Sequence, residues 1–457
     1  MSGDDWFRSD NTGLLTDLYE ITMAACYFEQ RMSQPATFSL FVRNLPPNRS
    51  FLLSAGLEEV LRYLENLRFG PEAIGYLRDT GRFEADFLEH LADLRFSGEV
   101  MAMPEGSIVF PNEPLLEVTA PIMEAQLAET YLMNAIQLGT LIASKAARIR
   151  FASRDRTIMD FASRRAQGRD AALKVARSSY IGGCNATSNV LAGKEFGIPI
   201  EGTLAHSFVQ AFEEEIEAFR AFARVFPTNT VLLIDTYDTI EGARRAVTVG
   251  QEMARRGAKL RGVRLDSGDM APLSKEVRRI LDEGGLPDAK IYASGSLNEY
   301  RIEEALAAGA PIDGFGVGSH LGVSYDAPVL DIVYKLVEYG HRPVLKLSQE
   351  KQTLAGAKQV FRRYASSGEM VEDTIALREE KLDGMEPLLV PVMERGKRIG
   401  LSPTLEQIRE RAAENLARLP ESLKTLREVN LYPVRQSDAV RDLQSKLVDS
   451  QGGVVRR

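Results

Sequence analysis

The stretch IEGTLAHSFVQAF, residues 200–212, carries His206, one of only four histidines in the chain. No cysteine accompanies it, and its one carboxylate, Glu201, lies near the start of the stretch. An imidazole in this setting has two readings: a structural histidine that caps a strand, or a nucleophile that accepts a phosphoryl group. Further on, GVRLDSGDM crowds Arg264, Asp266 and Asp269 together. A surface ion pair accounts for such a trio. Alternatively, Arg264 grips a ligand carboxylate or phosphate with its forked guanidinium, and Asp266 holds ribose hydroxyls or a magnesium shell. In MDFASRRAQGRD, Phe161 and Arg164 pair a ring with a fixed cation. That pair clamps a flat anionic ring, unless Phe161 is simply core. VLLIDTYDT ends an apolar run on Asp235. That carboxylate either caps the next helix or fixes the tautomer of His206 and stabilises its imidazolium. Two turns of small residues let backbone N–H groups approach a phosphate. One is YASGS, with Ser294, Gly295 and Ser296; the other is FGVGSHLG, with Gly316, Gly318 and Ser319. Each is equally an ordinary strand-to-helix loop when taken alone.

These residues share a place in a larger pattern. Between about 155 and 325 the runs TIMDF, IPIEGT, VLLID, RGVRLD, KIYASG and IDGFGVG recur, most followed by helical stretches. Strands alternating with helices predict a parallel sheet. The repeated unit favours a barrel, whose active face is formed by the C-terminal ends of its strands. Asp160, His206, Asp235, Asp266, Ser294 and Gly316 stand where the runs end. Upstream, TDLYEITMAACYFEQ predicts a helix opened by a capping box of Asp17 and Glu20, with Tyr19 off its apolar stripe. Ser207 with Gln210, and Ser296 with Glu299, predict two further boxes. TFSLFVRNLP alternates as a strand, 51–95 reads as helical, 96–119 as antiparallel strands, and a helix spans Met123 to about Ala147. After 330 come two strands, a polar basic loop, and a charged helical stretch from Thr404 to about Leu447. The predicted fold class is α/β. An irregular (β/α) barrel covers 141–330, an α+β N-terminal domain covers 1–140 and is completed by about 330–400, and a helical C-terminal tail covers 401–457.

Bulk properties narrow the function. A chain of 457 residues suits two or three domains, and 44% hydrophobic with 26% charged residues suits an ordinary globular core. A net charge of −8, from 56 basic and 64 acidic residues, argues against bulk nucleic-acid binding and against a basic membrane-surface protein. An anion site must then be a local cluster, such as Arg148, Arg150, Arg154, Arg156, Arg164, Arg165 and Arg169. Cys26 and Cys184 make neither a disulfide framework nor a metal-ligand spacing. MSGDDWFRSDN is not a signal peptide, and no apolar run approaches the roughly 18 residues of a membrane span. The expected location is the reducing cytoplasm.

The motifs TDLYEITM, FVRNLP, DFASRRAQG, CNATSNVLAG, EGTLAHS, VRLDSG, YASGS and FGVGSHLG occur in this order. In them the chain resembles the nicotinate phosphoribosyltransferase family, from about Gly13 to Gly400. The resemblance implies condensation of nicotinate with phosphoribosyl pyrophosphate to nicotinate mononucleotide and pyrophosphate, a salvage step in NAD biosynthesis. It implies coupling to ATP hydrolysis through a phosphohistidine, with Mg²⁺ as cofactor and a homodimer with shared active sites. On that likeness His206 is the phosphorylated residue, Asp235 its orienting partner, and Arg264 and Asp266 complete the catalytic set. Phe161 and Tyr19 would sandwich the pyridine ring, Tyr19 coming from the second subunit. Arg264 and Arg164 would hold the carboxylate and a nearby phosphate, and Arg43 would reach pyrophosphate or ATP. Ser294, Gly295, Gly318 and Ser319 would hold the ribosyl phosphate. Ser188 stands where the related nicotinamide enzyme has an aspartate, which would repel a carboxylate, so serine favours the acid. Ala355 replaces an expected proline in the basic loop, and Cys184 and Ala186 also depart from the pattern. Lys346, Lys351 and Lys358 are either phosphate contacts or a solvated basic loop. The magnesium ligands stay unassigned. The rival readings are the nicotinamide enzyme of the same fold, a barrel aldolase or isomerase acting on a phosphorylated sugar, and a non-catalytic nucleotide-binding protein. The aldolase or isomerase wants a lysine or carboxylate base at a strand end, and the strand-end set is poor in lysine, which counts against the aldolase.

Overall fold

The computed structural model describes residues 11–346 and 353–455. The chain divides into two compact units, one made of residues up to 141 together with those from 329 onward, the other of residues 142–328.

The second unit carries the repeating pattern. Its strands are β1 (Thr157–Asp160), β2 (Ala186–Thr187), β3 (Val231–Leu233), β4 (Gly262–Leu265), β5 (Lys290–Ala293) and β6 (Gly314–Val317). They lie in the order β2-β1-β6-β5-β4-β3, and each neighbouring pair is parallel. Parallel pairing requires a crossover, and the helices Arg169–Ile181, Thr239–Ala254, Met270–Glu283 and Glu299–Ala307 provide it. The short strands β3 and β6 are buried along their whole length, as expected of a sheet covered on both faces. IPIEGT, expected as a strand, adds only a parallel bridge from Ile200 to Thr187. Pro199 has no N–H to extend that ladder, although its carbonyl accepts from Thr187 N–H at 3.0 Å.

The first unit is built on an antiparallel sheet. Its interior strand Pro35–Val42 pairs with Pro114–Pro121 on one side and Ile332–Tyr339 on the other. All but its first residue are buried, and Phe38 stacks on Tyr334 with ring centres 4.8 Å apart. The residues from Thr404 onward are not one helical stretch. A helix, Leu405–Ala417, opens with a true capping box of Thr404 and Gln407. A 3₁₀ turn at Glu421–Lys424 follows, then a strand, Val434–Gln436, parallel to Met370–Leu377, then the helix Asp438–Val455. Pro420 and Pro433, which lack amide hydrogens, mark the breaks.

The three predicted capping boxes do not form. Asp17 caps its helix without a side-chain bond to the helix and accepts instead from Thr130 Oγ1 at 2.7 Å. The helix at His206 opens at Ala205. The cap after Ser296 is Asn298, whose Oδ1 accepts from Arg301 N–H at 2.9 Å, and this releases Glu299 for other contacts. Among the described residues no helix is long and apolar enough to cross a membrane.

Candidate active site

Strand β1 ends on Asp160, a buried carboxylate that accepts from Ala162 N–H and Thr187 Oγ1, each at 2.8 Å. Burial pushes this carboxyl up, and the two hydrogen bonds oppose that. The turn it shapes carries Phe161, whose N–H donates to Val317 O at 2.9 Å. The Phe161 ring then lies on Gly316, where any Cβ would overlap two ring carbons. Gly316 was expected to open a phosphate loop. It sits inside β6 instead, and its missing side chain makes room for the ring.

Arg264 projects from β4 over the same ring, with its guanidinium carbon 6.0 Å from the ring centre. One Nη donates to Leu204 O at 3.1 Å, while the buried Nε has no hydrogen-bond partner. Burial draws this guanidinium below its ordinary value, Asp266 and Asp235 oppose, and Arg164 adds to the lowering. An arginine stays a cation throughout. A cation with a spare buried donor against an aromatic face is a receptor for a planar anion.

Arg264 and Phe161 open into a cavity of about 540 Å³ whose lining includes Arg164, Ser188, Leu204 and Asp266. That volume falls in the range of small-molecule sites. Arg164 stands on the 3₁₀ turn Ser163–Arg165 and is exposed. Ser188 follows β2, and its N–H donates to Asp160 O at 2.8 Å.

Asp266 links the remaining residues. Its carboxylate lies 3.8 Å from His206 Nε2 and accepts from Ser294 Oγ. Its N–H donates to Asp235 Oδ2 at 2.8 Å, and Ser267 Oγ donates to the same oxygen at 2.6 Å. The other oxygen of Asp235 is buried without a partner. Asp235 therefore shapes the turn at 266–267, while the groups beside His206 are Asp266 and Thr236, whose Oγ1 is 3.1 Å from Nδ1. The helix-capping alternative for Asp235 goes to Asp238, and Asp269 caps the helix after β4. Gly295, with φ +89°, abuts the carbonyl of Asp266, so no side chain fits there. Gly318 passes the Phe161 carbonyl, and a Cβ there would lie 3.3 Å from it. Ser319 is exposed at the start of a four-residue helical turn. The hydroxyl of Ser294 is already used on Asp266. Thr236 and Ser267 were missed in the sequence, although each neighbours a carboxylate that was singled out.

Tyr19 and Arg43 belong to the other unit. The Tyr19 ring is 47% exposed on the helix Leu18–Glu29, and its hydroxyl hydrogen-bonds Glu129. Arg43 pairs with Asp331 at 3.6 Å. Lys346 is exposed, and Lys351 lies outside the described residues. Lys358 is buried on Glu117 at 3.1 Å, so its ammonium ties the strand Lys358–Tyr364 to the strand Pro114–Pro121 of a separate sheet and is not offered to a phosphate. Ala355 donates its N–H to Gln444 Oε1 at 3.0 Å, a bond that a proline could not make. Cys184 and Ala186 are buried packing residues.

Three family profiles match successive parts of the chain. The nicotinate phosphoribosyltransferase N-terminal domain covers residues 14–137, the nicotinate phosphoribosyltransferase family 156–367, and the C-terminal domain 382–444. A nicotinate phosphoribosyltransferase of Mycobacterium tuberculosis is 49% identical over 429 residues, spanning 93% of this chain and 92% of its own. One of Bacillus subtilis is 41% identical, spanning 94% of each chain. The crystal structure of human nicotinic acid phosphoribosyltransferase superposes with a TM-score of 0.86 at 30% identity, over 94% of this chain and 99% of that one.

Proposed function

The chain belongs to the nicotinate phosphoribosyltransferase family, and from that premise we propose that it joins nicotinate to phosphoribosyl pyrophosphate, giving nicotinate mononucleotide and pyrophosphate. The observation that carries this reading is the Arg264 guanidinium, which has an unpaired buried Nε and faces Phe161 in a cavity that also holds Ser188. Nicotinate is a flat ring with one carboxylate. Its ring fits against Phe161, and its carboxylate takes the spare donor of Arg264, with Arg164 adding positive charge. A hydroxyl at 188 tolerates that carboxylate where an acid would repel it.

The pyridine nitrogen is a nucleophile without prior deprotonation, so the reaction needs no strong base. The nitrogen forms a bond to C1 of the ribose as the bond from C1 to pyrophosphate breaks. Positive charge grows on the sugar and negative charge on the leaving group, and fixed charges placed to meet them lower the barrier. Asp266 is read as the acid for the ribose side. The backbone turns at Gly295, Gly318 and Ser319 are read as the seat of the ribosyl phosphate, with Ser294 holding Asp266 in place. Arg43 is read as a contact for pyrophosphate or ATP.

Mg²⁺, when bound, would supply positive charge that offsets the charge growing on pyrophosphate. Among the described residues no group of three acidic, histidine or cysteine side chains forms a cage. A magnesium ion that arrives with phosphates needs only one or two carboxylates. Asp266 and Asp235, with its orphaned buried oxygen, fit that requirement.

His206 is read as the phosphoryl acceptor. A ring nitrogen takes the γ-phosphoryl group of ATP, the bond to ADP breaks, and water later releases the phosphate. The cyclic strand order, 3-4-5-6-1-2, supports closure of the sheet into a barrel with its seam between β2 and β3, next to the Ile200 bridge. A homodimer in which Tyr19 of the partner subunit covers the second face of the ring would explain that exposed aromatic. We read its setting as cytoplasmic, where Cys26 and Cys184 would stay reduced.

The test is to incubate the purified protein with nicotinate, phosphoribosyl pyrophosphate and Mg²⁺, with and without ATP. The mononucleotide is expected in both, faster with ATP. γ-Labelled ATP should mark the wild type and leave His206→Ala unlabelled. No mononucleotide under any condition overturns the transferase reading, and equal ATP stimulation in His206→Ala overturns the phosphohistidine.

A further inference from the structure

Behind the turns that follow β5 and β6 lies a buried ionic group with no part in the mechanism above. Lys145, on the helix Glu129–Ser153, has a side chain only 1% exposed. Its ammonium sits 2.6 Å from Glu299 Oε2 and 2.6 Å from Asp326 Oδ1. Glu299 is fully buried, and its other oxygen accepts from Arg148 Nε at 3.0 Å. Burial would raise the Glu299 carboxyl, but Lys145 and Arg148 outweigh it and hold the group below its usual range, so it is charged. Arg148 also donates to Tyr300 OH at 3.0 Å. Two cations thus balance two carboxylates, and of the four side chains only Asp326 reaches solvent.

Each carboxylate is attached to one of the turns. Glu299 opens the helix that directly follows Ser294, Gly295 and Ser296, two of which hold positive φ, +89° at Gly295 and +49° at Ser296. Asp326 rides on the compact segment that begins at Gly318 and Ser319. In it Tyr325 N–H donates to His320 O at 3.2 Å and Ala327 N–H to Ser324 O at 2.7 Å. The strands feeding the two turns are neighbours, paired at Tyr292 with Gly314 and Ala293 with Phe315. The strands fix where the turns begin. One ammonium, bonded to both carboxylates, ties together the segments that follow them.

We propose that Lys145 is a positioning residue for phosphate binding: through Glu299 and Asp326 it holds the two turns at the separation that the ribosyl phosphate requires. This rests on the reading of those turns as a phosphoribosyl site. A charged hydrogen bond has a short working distance, so a single shared lysine sets the spacing more tightly than two independent ion pairs would. The network touches no atom of the pyridine clamp, so its loss should show in one substrate and spare the other.

Lys145→Met removes the shared ammonium but leaves Glu299 its bond to Arg148. Asp326→Ala cuts the second arm, at a side chain that is 23% exposed, and serves if the lysine variant does not fold. Both are expected to raise KM for phosphoribosyl pyrophosphate about tenfold while KM for nicotinate stays within about twofold, as for a misplacement confined to one subsite. Asp326→Asn keeps an oxygen for the ammonium and should recover most of the loss. Calorimetric titration with phosphoribosyl pyrophosphate should give the same ratios without turnover. Unchanged affinity for phosphoribosyl pyrophosphate in both variants overturns the proposal. So does a parallel loss for both substrates with a lowered melting temperature, which would mark a purely structural network. A wild type that binds phosphoribosyl pyrophosphate yet makes no mononucleotide would overturn the function instead, and the binding ratios would still decide the role of Lys145.

Discussion

Adding one methyl group at position 316 should weaken nicotinate binding without touching any polar group. A Cβ on residue 316 would overlap two carbons of the Phe161 ring. Carbon pairs settle at about 3.5–4.0 Å, so in Gly316→Ala the ring must retreat by about 1 Å. It cannot sink into the sheet, because residue 316 lies inside β6, where every position is buried. It can only swing out over the cavity, away from its place 6.0 Å from the Arg264 guanidinium carbon. An aromatic stacking contact is worth about 0.5–1.5 kcal/mol, so its loss raises KM for nicotinate about 2- to 12-fold. Overpacking in a core costs about 1–3 kcal/mol, which should lower the melting temperature by several degrees. The measurements are steady-state kinetics with each substrate varied in turn, and a thermal melt. KM for phosphoribosyl pyrophosphate should hold steady, and Phe161→Ala with Gly316→Ala should be no worse than Phe161→Ala alone, since the clash is then gone. A nicotinate KM that stays at the wild-type value in Gly316→Ala, with the protein folded, would refute the placement of Phe161 as the floor of the ring site.

Arg264→Lys keeps the charge but loses the fork, so KM for nicotinate should rise about 100-fold, the range for truncating one partner of a buried charged contact; a rise below about threefold in initial-rate assays would remove Arg264 from the carboxylate site. Ser188→Asp should turn the preference from nicotinate towards nicotinamide by at least about tenfold, read from competition between the two, because a carboxylate is then set against a carboxylate. Burial pushes the Glu20 carboxyl from 4.5 to about 7, while Thr130 and Thr16 hydrogen bonds oppose and Glu129 adds to the rise. The folded state then holds a proton that the unfolded chain has released. Stability falls as pH rises from about 4.5 to about 7, by about 3 kcal/mol, and is level above that. Glu20→Gln should flatten that part of the curve in denaturant melts taken at several pH values. An unchanged slope would show that Glu20 is ionised in the fold.

The sequence by itself determined which residue types stand at the ends of the runs in residues 155–325, and hence the parallel sheet. Local apolar runs and the helices between them leave parallel pairing as the one short-range solution. The family resemblance also put Phe161, Arg164, Ser188 and Arg264 in one chemical set, which the structure gathers around one cavity. What the sequence could not reach were relations set by neighbours far along the chain. Asp235 and His206 both close strand-end segments, yet the register of β3 against β4 turns Asp235 to the amide of Asp266 and leaves Asp266 beside the imidazole. The glycine at 316 reads as a phosphate turn until a ring from β1 is seen lying on it. Lys358 reads as a phosphate contact or a solvated cation until Glu117, 241 positions away, is found beneath it. Lys145 carries no local signal and Glu299 only that of a capping box that does not form, because a buried ion pair depends on two distant side chains meeting out of water, and only tertiary packing brings them together.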